Sequence, residues 1–254
     1  MLAFDRHAGG TDGTVVLLHS LALDRTIWEG LLQHLPPRFD TITPDLPNHG
    51  ASPSLPEASI PAMGDAVAEL IRTEVEGPVV LVGLSLGGCV AQAVAIQHPD
   101  LVRGLGLLDT TAWYGESAME TWESRAQKAI ENGLDSLADF QLERWFTAGF
   151  KERQPEVGER LLEIFTANDL DRYVATCRAM GAADLRDGVE GVGVSTCIVV
   201  GSEDGATPPS HAIDLWERIP DAGLHVVPNC SHLSAIERPE TVAALLGVDL
   251  FPRV

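Results

Sequence analysis

The sequence predicts an α/β protein: a mostly parallel central sheet with helices on both faces, and a helical block inserted between two of the strands. Three observations carry this expectation. Apolar runs bounded by turn residues recur along the chain, and most are nearly continuous, as strands covered on both faces require. Helical apolar spacing fills most of the intervals between them, the alternation that builds parallel sheets. From about residue 112 to 188 that rhythm gives way to helical patterns only.

Taken in order, the first strand is expected at 14–19 (TVVLLH), followed by a helix in RTIWEGLLQHL. The next strands fall at 39–44 (FDTITP), 78–83 (PVVLVG) and 104–109 (GLGLLD), with helices in AMGDAVAELIRTEV and GGCVAQAVAIQHP between them. Four helical patterns follow: AMETWESRAQKAIENG, DSLADFQLERWFTAGF, PEVGERLLEIFTAND and LDRYVATCRAMGAAD. The sheet resumes at 195–201 (STCIVVG) and 223–227 (GLHVV), with helices in HAIDLWERIP and PETVAALLG. The expected division is therefore a core of 1–111 and 189–254 and a helical cap of 112–188 over the strand ends. Insertions this long in compact domains usually serve function.

Composition narrows the partners. With 17 basic against 37 acidic residues the formal charge is −20. Such a surface repels phosphate backbones and anionic membrane surfaces, so neither nucleic acid nor a membrane is an expected partner. Any anionic small molecule would need cationic side chains waiting in its pocket. The four cysteines, Cys89, Cys177, Cys197 and Cys230, lie far apart, with neither a CxxC pair nor a metal-like spacing to histidines. They read as buried thiols, and with no basic leader followed by a long apolar stretch the chain is expected to be cytoplasmic. Nothing marks a distinct interface, which leaves homo-oligomerisation open.

The chemistry is concentrated at Gly83-Leu84-Ser85-Leu86-Gly87, a G-x-S-x-G pentapeptide between a strand and a helix. There a serine sits on a sharp turn that lifts its hydroxyl above the sheet, and glycines leave it room. The same strand, turn and helix could seat a phosphate, but G-x-G-x-x-G after the first strand and the P-loop Lys-Ser/Thr are both missing. A serine hydroxyl needs a base and an acid to orient that base. His232, in VVPNCSHLSAIERPE, follows the last strand and is the expected base. Asp204, on the turn in CIVVGSEDGATPP, is the expected acid, with Asp109 at the end of GLGLLD as the rival. The order Ser, Asp, His then differs from that of the two best-known serine protease folds. Backbone N–H groups of Leu86 and Leu21 are the expected oxyanion donors. His49 and Asn48, in DLPNHGASP, read as loop structure, and His19 is as readily structural as catalytic.

Together these motifs resemble the α/β-hydrolase superfamily over essentially the whole chain. His19-Ser20-Leu21 stands where many members have H-G-x, and Asp45 to Ser52 where they have D-x-x-G-H-G-x-S. HSLALDRTIWE, GLSLGG, TWESRAQ, ERWFTAGF, CRAMGAADLRD, GSEDGATPPSHA and CSHLSAIERPE are most similar to the 3-oxoadipate enol-lactonases. That resemblance implies a Ser85, Asp204, His232 triad hydrolysing an enol-lactone to 3-oxoadipate in aromatic-compound breakdown, through an acyl-enzyme and without metal or organic cofactor. A general carboxylesterase, a carbon-carbon bond hydrolase and a perhydrolase-type haloperoxidase share the scaffold, and fold alone does not separate them. A non-catalytic ligand receptor is the reading from another class. An enol-lactone of this kind carries a carboxylate, for which Arg125 and Arg144 of the helical block are the candidate partners, with Trp113 and Trp145 lining the pocket.

Overall fold

The computed structural model describes residues 1–251. Seven strands form one sheet: β1 (Phe4–His7), β2 (Thr14–Leu18), β3 (Asp40–Pro44), β4 (Val79–Leu84), β5 (Val102–Leu108), β6 (Thr196–Gly201) and β7 (Ala222–Val227). Their spatial order is β1-β3-β2-β4-β5-β6-β7. All neighbours run parallel except β1, which pairs antiparallel with β3 from Phe4↔Pro44 to His7↔Thr41. Six of the seven strands fall on the apolar runs of the sequence. β1 does not, because FDRH is mostly polar and mostly exposed and gains its strand form by pairing with β3.

The central strands are buried on both faces, which is why they read as unbroken apolar runs. In the sheet's first half lie α1 (Glu29–Leu32), α2 (Ile60–Glu74) and α3 (Leu86–Gln97). The helix expected in RTIWEGLLQHL is shorter than its pattern: Asp24 caps a 3₁₀ turn at Arg25–Trp28, and α1 ends well before Pro36-Pro37. α2 starts where Ser59 caps Ala62 N–H, with Pro61 in its first turn. α3 is buried along nearly its whole length, so AQAVA supplies small residues for close packing rather than an amphipathic stripe.

Between β5 and β6 the chain is helical: α4 (Ala118–Asn132), α5 (Ala138–Trp145), α6 (Ala148–Arg153), α7 (Pro155–Thr166), α8 (Leu170–Gly181) and α9 (Arg186–Val189). This segment leaves and rejoins the sheet at one place, where Trp113 bridges Asp184 and Leu185 N–H donates to Ala112 O. One expected helix, DSLADFQLERWFTAGF, is broken at Phe146–Thr147. Phe146 is extended, Thr147 caps α6, and the Thr147 hydroxyl donates to buried Glu237 far along the chain. After β6 come α10 (Pro209–Arg218), α11 (Ser234–Glu237) and α12 (Pro239–Leu250).

The chain passes from β2 outward to β3 and then back to β4 on β2's other side. At such a switch point a crevice opens beyond the carboxyl ends of the strands. The ends of β2 and β4 are His19-Ser20-Leu21 and Ser85.

Candidate active site

Ser85 joins β4 to α3 in a conformation that L-residues rarely adopt, φ 55° and ψ −114°. Its neighbours explain why the turn is glycine-rich. A Cβ on Gly83 would lie 2.1 Å from Gly87 O, and one on Gly87 would lie 2.0 Å from Leu18 O, so only glycine fits either position. The strained backbone is pinned from three sides: Ser85 N–H donates to Leu108 O at 2.9 Å, while Ser85 O accepts from Gly88 N–H and from the Thr110 hydroxyl.

The hydroxyl meets His232 Nε2 at 2.9 Å, and His232 Nδ1 meets Asp204 Oδ2 at 2.9 Å. All three residues are buried to within a few per cent. Asp204 lies in an Asx-type turn: its Oδ1 accepts from Ala206 and Thr207 N–H, and its Oδ2 from the Thr207 hydroxyl at 2.9 Å. Burial works against this carboxylate's charge. His232 and the N–H donors outweigh burial, holding Asp204 below the ordinary carboxylate range. A serine hydroxyl, an imidazole and a buried carboxylate are thus in line, the geometry that a nucleophile, its base and a base-orienting acid require.

Asp109 is a brace and not the histidine's partner. Its Oδ1 accepts from Gly201 N–H at 3.0 Å and its Oδ2 from Ser234 N–H at 2.9 Å, which ties β5 to the loops after β6 and β7. Burial, and then the charge of Asp204, push its carboxyl well above the usual range.

Leu21 and Ser20 line the cavity beside Ser85, and Leu86 opens α3, where first-turn N–H groups have no intrahelical acceptor. Among the described residues neither Leu21 nor Leu86 N–H is taken by a protein acceptor. Behind them His19 holds two loops together, donating from Nδ1 to Ser20 O at 2.8 Å and accepting Leu46 N–H at Nε2 at 2.8 Å. Both ring nitrogens are occupied, so His19 is structural. His49 stacks edge-on against it, 5.0 Å between centroids, and Asn48 has the left-handed φ of 69° that its residue type accommodates.

This histidine pair sets a pH dependence of stability. Burial lowers His19 to about 4 and, with help from His19's charge, His49 to about 3, both from 6.5. The unfolded chain takes up these protons at higher pH than the folded one, so stability is lost as pH falls from about 6.5 towards 3. Replacing His49 by Gln should make the unfolding free energy shallower against pH in that window, by up to about 1.4 kcal/mol per pH unit. Denaturant titrations of both proteins between pH 7 and 4 read this directly. Equal slopes would contradict it.

Ser85 and His232 open into a cavity of about 400 Å³ roofed by α4, α5 and α8. Tyr114, Trp122, Phe140 and Trp145 make its aromatic wall, and Arg125 and Arg144 project into it. Trp113 does not. Its backbone bridges Asp184, and its ring lies outside the cavity under the Arg186 guanidinium at 3.7 Å, so the next residue, Tyr114, turns inward instead. Arg125 donates to Tyr173 Oη at 2.6 Å and Gln141 Oε1 at 2.9 Å, and lies over the Trp122 ring. Arg144 stacks on Phe140 at 5.0 Å, and burial followed by the charge of Arg125 pushes its guanidinium below its ordinary value. Neither arginine has a carboxylate partner among the described residues.

Two residues that the sequence reading passed over hold the site together. Thr207 bridges Asp204 and His232, and D-x-x-T was its available signal. Glu237 accepts Ser231 N–H at 3.0 Å and the Thr147 hydroxyl, clamping the His232 loop to the inserted helices. That second role has no local signature.

Fold and site together define the class, since a parallel sheet with a G-x-S-x-G elbow, then an acid, then a histidine is the arrangement of α/β-hydrolases. The chain belongs to the alpha/beta hydrolase family, which it matches over residues 15–245. It is similar to 3-oxoadipate enol-lactonase 2 of Acinetobacter baylyi, 28% identical over 228 residues that cover 89% of this chain and 84% of that protein. It is likewise similar to the pimeloyl-[acyl-carrier protein] methyl ester esterase of Chromobacterium violaceum, 32% identical with 95% of each chain covered. The crystal structure of the enol-lactonase from Burkholderia xenovorans LB400 matches with a TM-score of 0.88 at 31% identity, covering 96% of both chains. No helix is long and apolar enough to cross a membrane among the described residues, and all four cysteines are free and buried.

Proposed function

We propose that the protein cleaves the ester bond of a small lactone bearing a carboxylate, 3-oxoadipate enol-lactone to 3-oxoadipate, through an acyl-enzyme on Ser85. His232 takes the Ser85 proton as Oγ attacks the carbonyl carbon, and Leu21 and Leu86 N–H groups hold the oxyanion. Each such donor is worth roughly 2.7–4 kcal/mol in the transition state. The ring opens as His232 returns the proton to the leaving enol oxygen. Water, deprotonated by His232, then releases the acid and restores Ser85.

The observation that carries the substrate class is the pair of arginines. In a chain of charge −20, two guanidiniums project into the cavity of the nucleophile without carboxylate partners. A half-buried guanidinium without a carboxylate beside it has lost part of its hydration, and an anionic substrate offsets that cost. Arg144→Gln should therefore reduce kcat/KM for the enol-lactone about 10- to 100-fold, the worth of one charged hydrogen bond, while a neutral p-nitrophenyl ester changes less than about threefold. Equal losses on both substrates would remove Arg144 from recognition. The 32% identity to a methyl ester esterase supports a second reading, hydrolysis of an acyl methyl ester at the same serine. A methyl ester turned over faster than the lactone would favour it.

A further inference from the structure

At the end of the sheet opposite Ser85, three donor groups converge that the hydrolytic site does not use. Cys197 is the second residue of β6 and pairs with Gly223 of β7, while His225 lies two residues further along β7. Alternate strand residues share a face, so both side chains meet α12. There Asp249 closes the group: its Oδ2 lies 2.8 Å from His225 Nε2. A donor atom from each of the three residues lies within 4.8 Å of the other two.

Several features fit this cluster to a cation. A Cβ on Gly223 would come within 2.6 Å of Asp249 Oδ2, so glycine there is what lets the carboxylate sit against the strand. Asp249 lies in the last turn of α12, where the helix dipole disfavours an anion and no basic residue of that turn compensates. Cys197 is fully buried, while His225 and Asp249 side chains remain 26% and 20% exposed and leave an entry path. Tetrahedral bonds of about 2.0–2.3 Å to zinc separate ligand atoms by about 3.3–3.6 Å, within reach of side-chain adjustment from the observed spacing.

We propose that Cys197, His225 and Asp249 bind a divalent metal ion of the zinc class, with water as the fourth ligand. One sulfur, one nitrogen and one oxygen form a borderline-soft set that suits zinc over magnesium or calcium. The three lie far apart in sequence, so no spacing announces them. The thiol proton passes to solvent as the Cys197 thiolate–metal bond forms, so binding tightens as pH rises.

The test is titration of the chelator-dialysed full-length protein with Co(II), followed by Zn(II). The expected result is one Co(II) per chain with a thiolate-to-cobalt charge-transfer band and tetrahedral d–d bands, displaced by Zn(II). Zn(II) should also raise Tm by mass action. Cys197→Ala should abolish the charge-transfer band. His225→Gln, a partly exposed strand position, should weaken binding at least tenfold and serves if the cysteine variant does not fold. Turnover at Ser85 should be unchanged by metal. Absence of the band at tenfold excess Co(II), or a band that survives in both variants, overturns the proposal.

Discussion

Ser85→Ala should lower kcat about 10⁵- to 10⁶-fold while the protein stays folded. The size follows from the geometry, because Ser85 Oγ is the atom that His232 Nε2 faces at 2.9 Å, and alanine leaves the base nothing to activate. The fold survives because the backbone of the elbow is held by Leu108 O, Gly88 N–H and Thr110, none of which involves the hydroxyl. Circular dichroism and a denaturant midpoint close to wild type establish the second half of the prediction. Turnover within tenfold of wild type would remove Ser85 from the mechanism, and with it the acyl-enzyme.

Asp204→Asn should lower kcat by about 10⁴-fold. The asparagine keeps the shape of the side chain but loses the charge that stabilises imidazolium and the acceptor that fixes the proton on His232 Nδ1. The effect on pH dependence has a definite sign. Asp204 is held below the ordinary carboxylate range in the folded chain, so its contribution to stability is present above the unfolded value and is lost as pH falls through the lowered one. The variant should lack that acid limb. Asp109 offers no replacement, since both its oxygens are occupied by Gly201 and Ser234 N–H. An Asp204→Asn protein retaining more than about a tenth of its activity would point back to Asp109 as the acid.

The parts of this molecule that were legible in the sequence are those whose cause is local. Strands buried on both faces appear as continuous apolar runs, and the elbow appears as G-x-S-x-G because two backbone approaches near 2 Å forbid a Cβ at Gly83 and Gly87. The order of Ser85, Asp204 and His232 follows from which strand each terminates. What stayed hidden has distant causes. β1 owes its form to β3, the break at Phe146–Thr147 owes its position to Glu237, and Trp113 turns outward because Asp184 and Arg186 take its backbone and its ring. Each of those partners lies well along the chain, where neither periodicity nor a motif reports it. The cavity wall was legible only in part: Arg125, Arg144 and Trp145 line it as expected, Trp122 lies in the quoted TWESRAQ without having been singled out, and Tyr114 and Phe140 carry no motif.

The central claim is that Ser85 opens a lactone whose carboxylate is met by Arg125 and Arg144. Its most direct test is kcat/KM of the purified protein on freshly generated 3-oxoadipate enol-lactone, measured beside a neutral p-nitrophenyl ester under the same conditions. The proposal predicts that the lactone is preferred by at least tenfold and that Ser85→Ala abolishes turnover of both. Neutral ester turned over far faster than the lactone would contradict it.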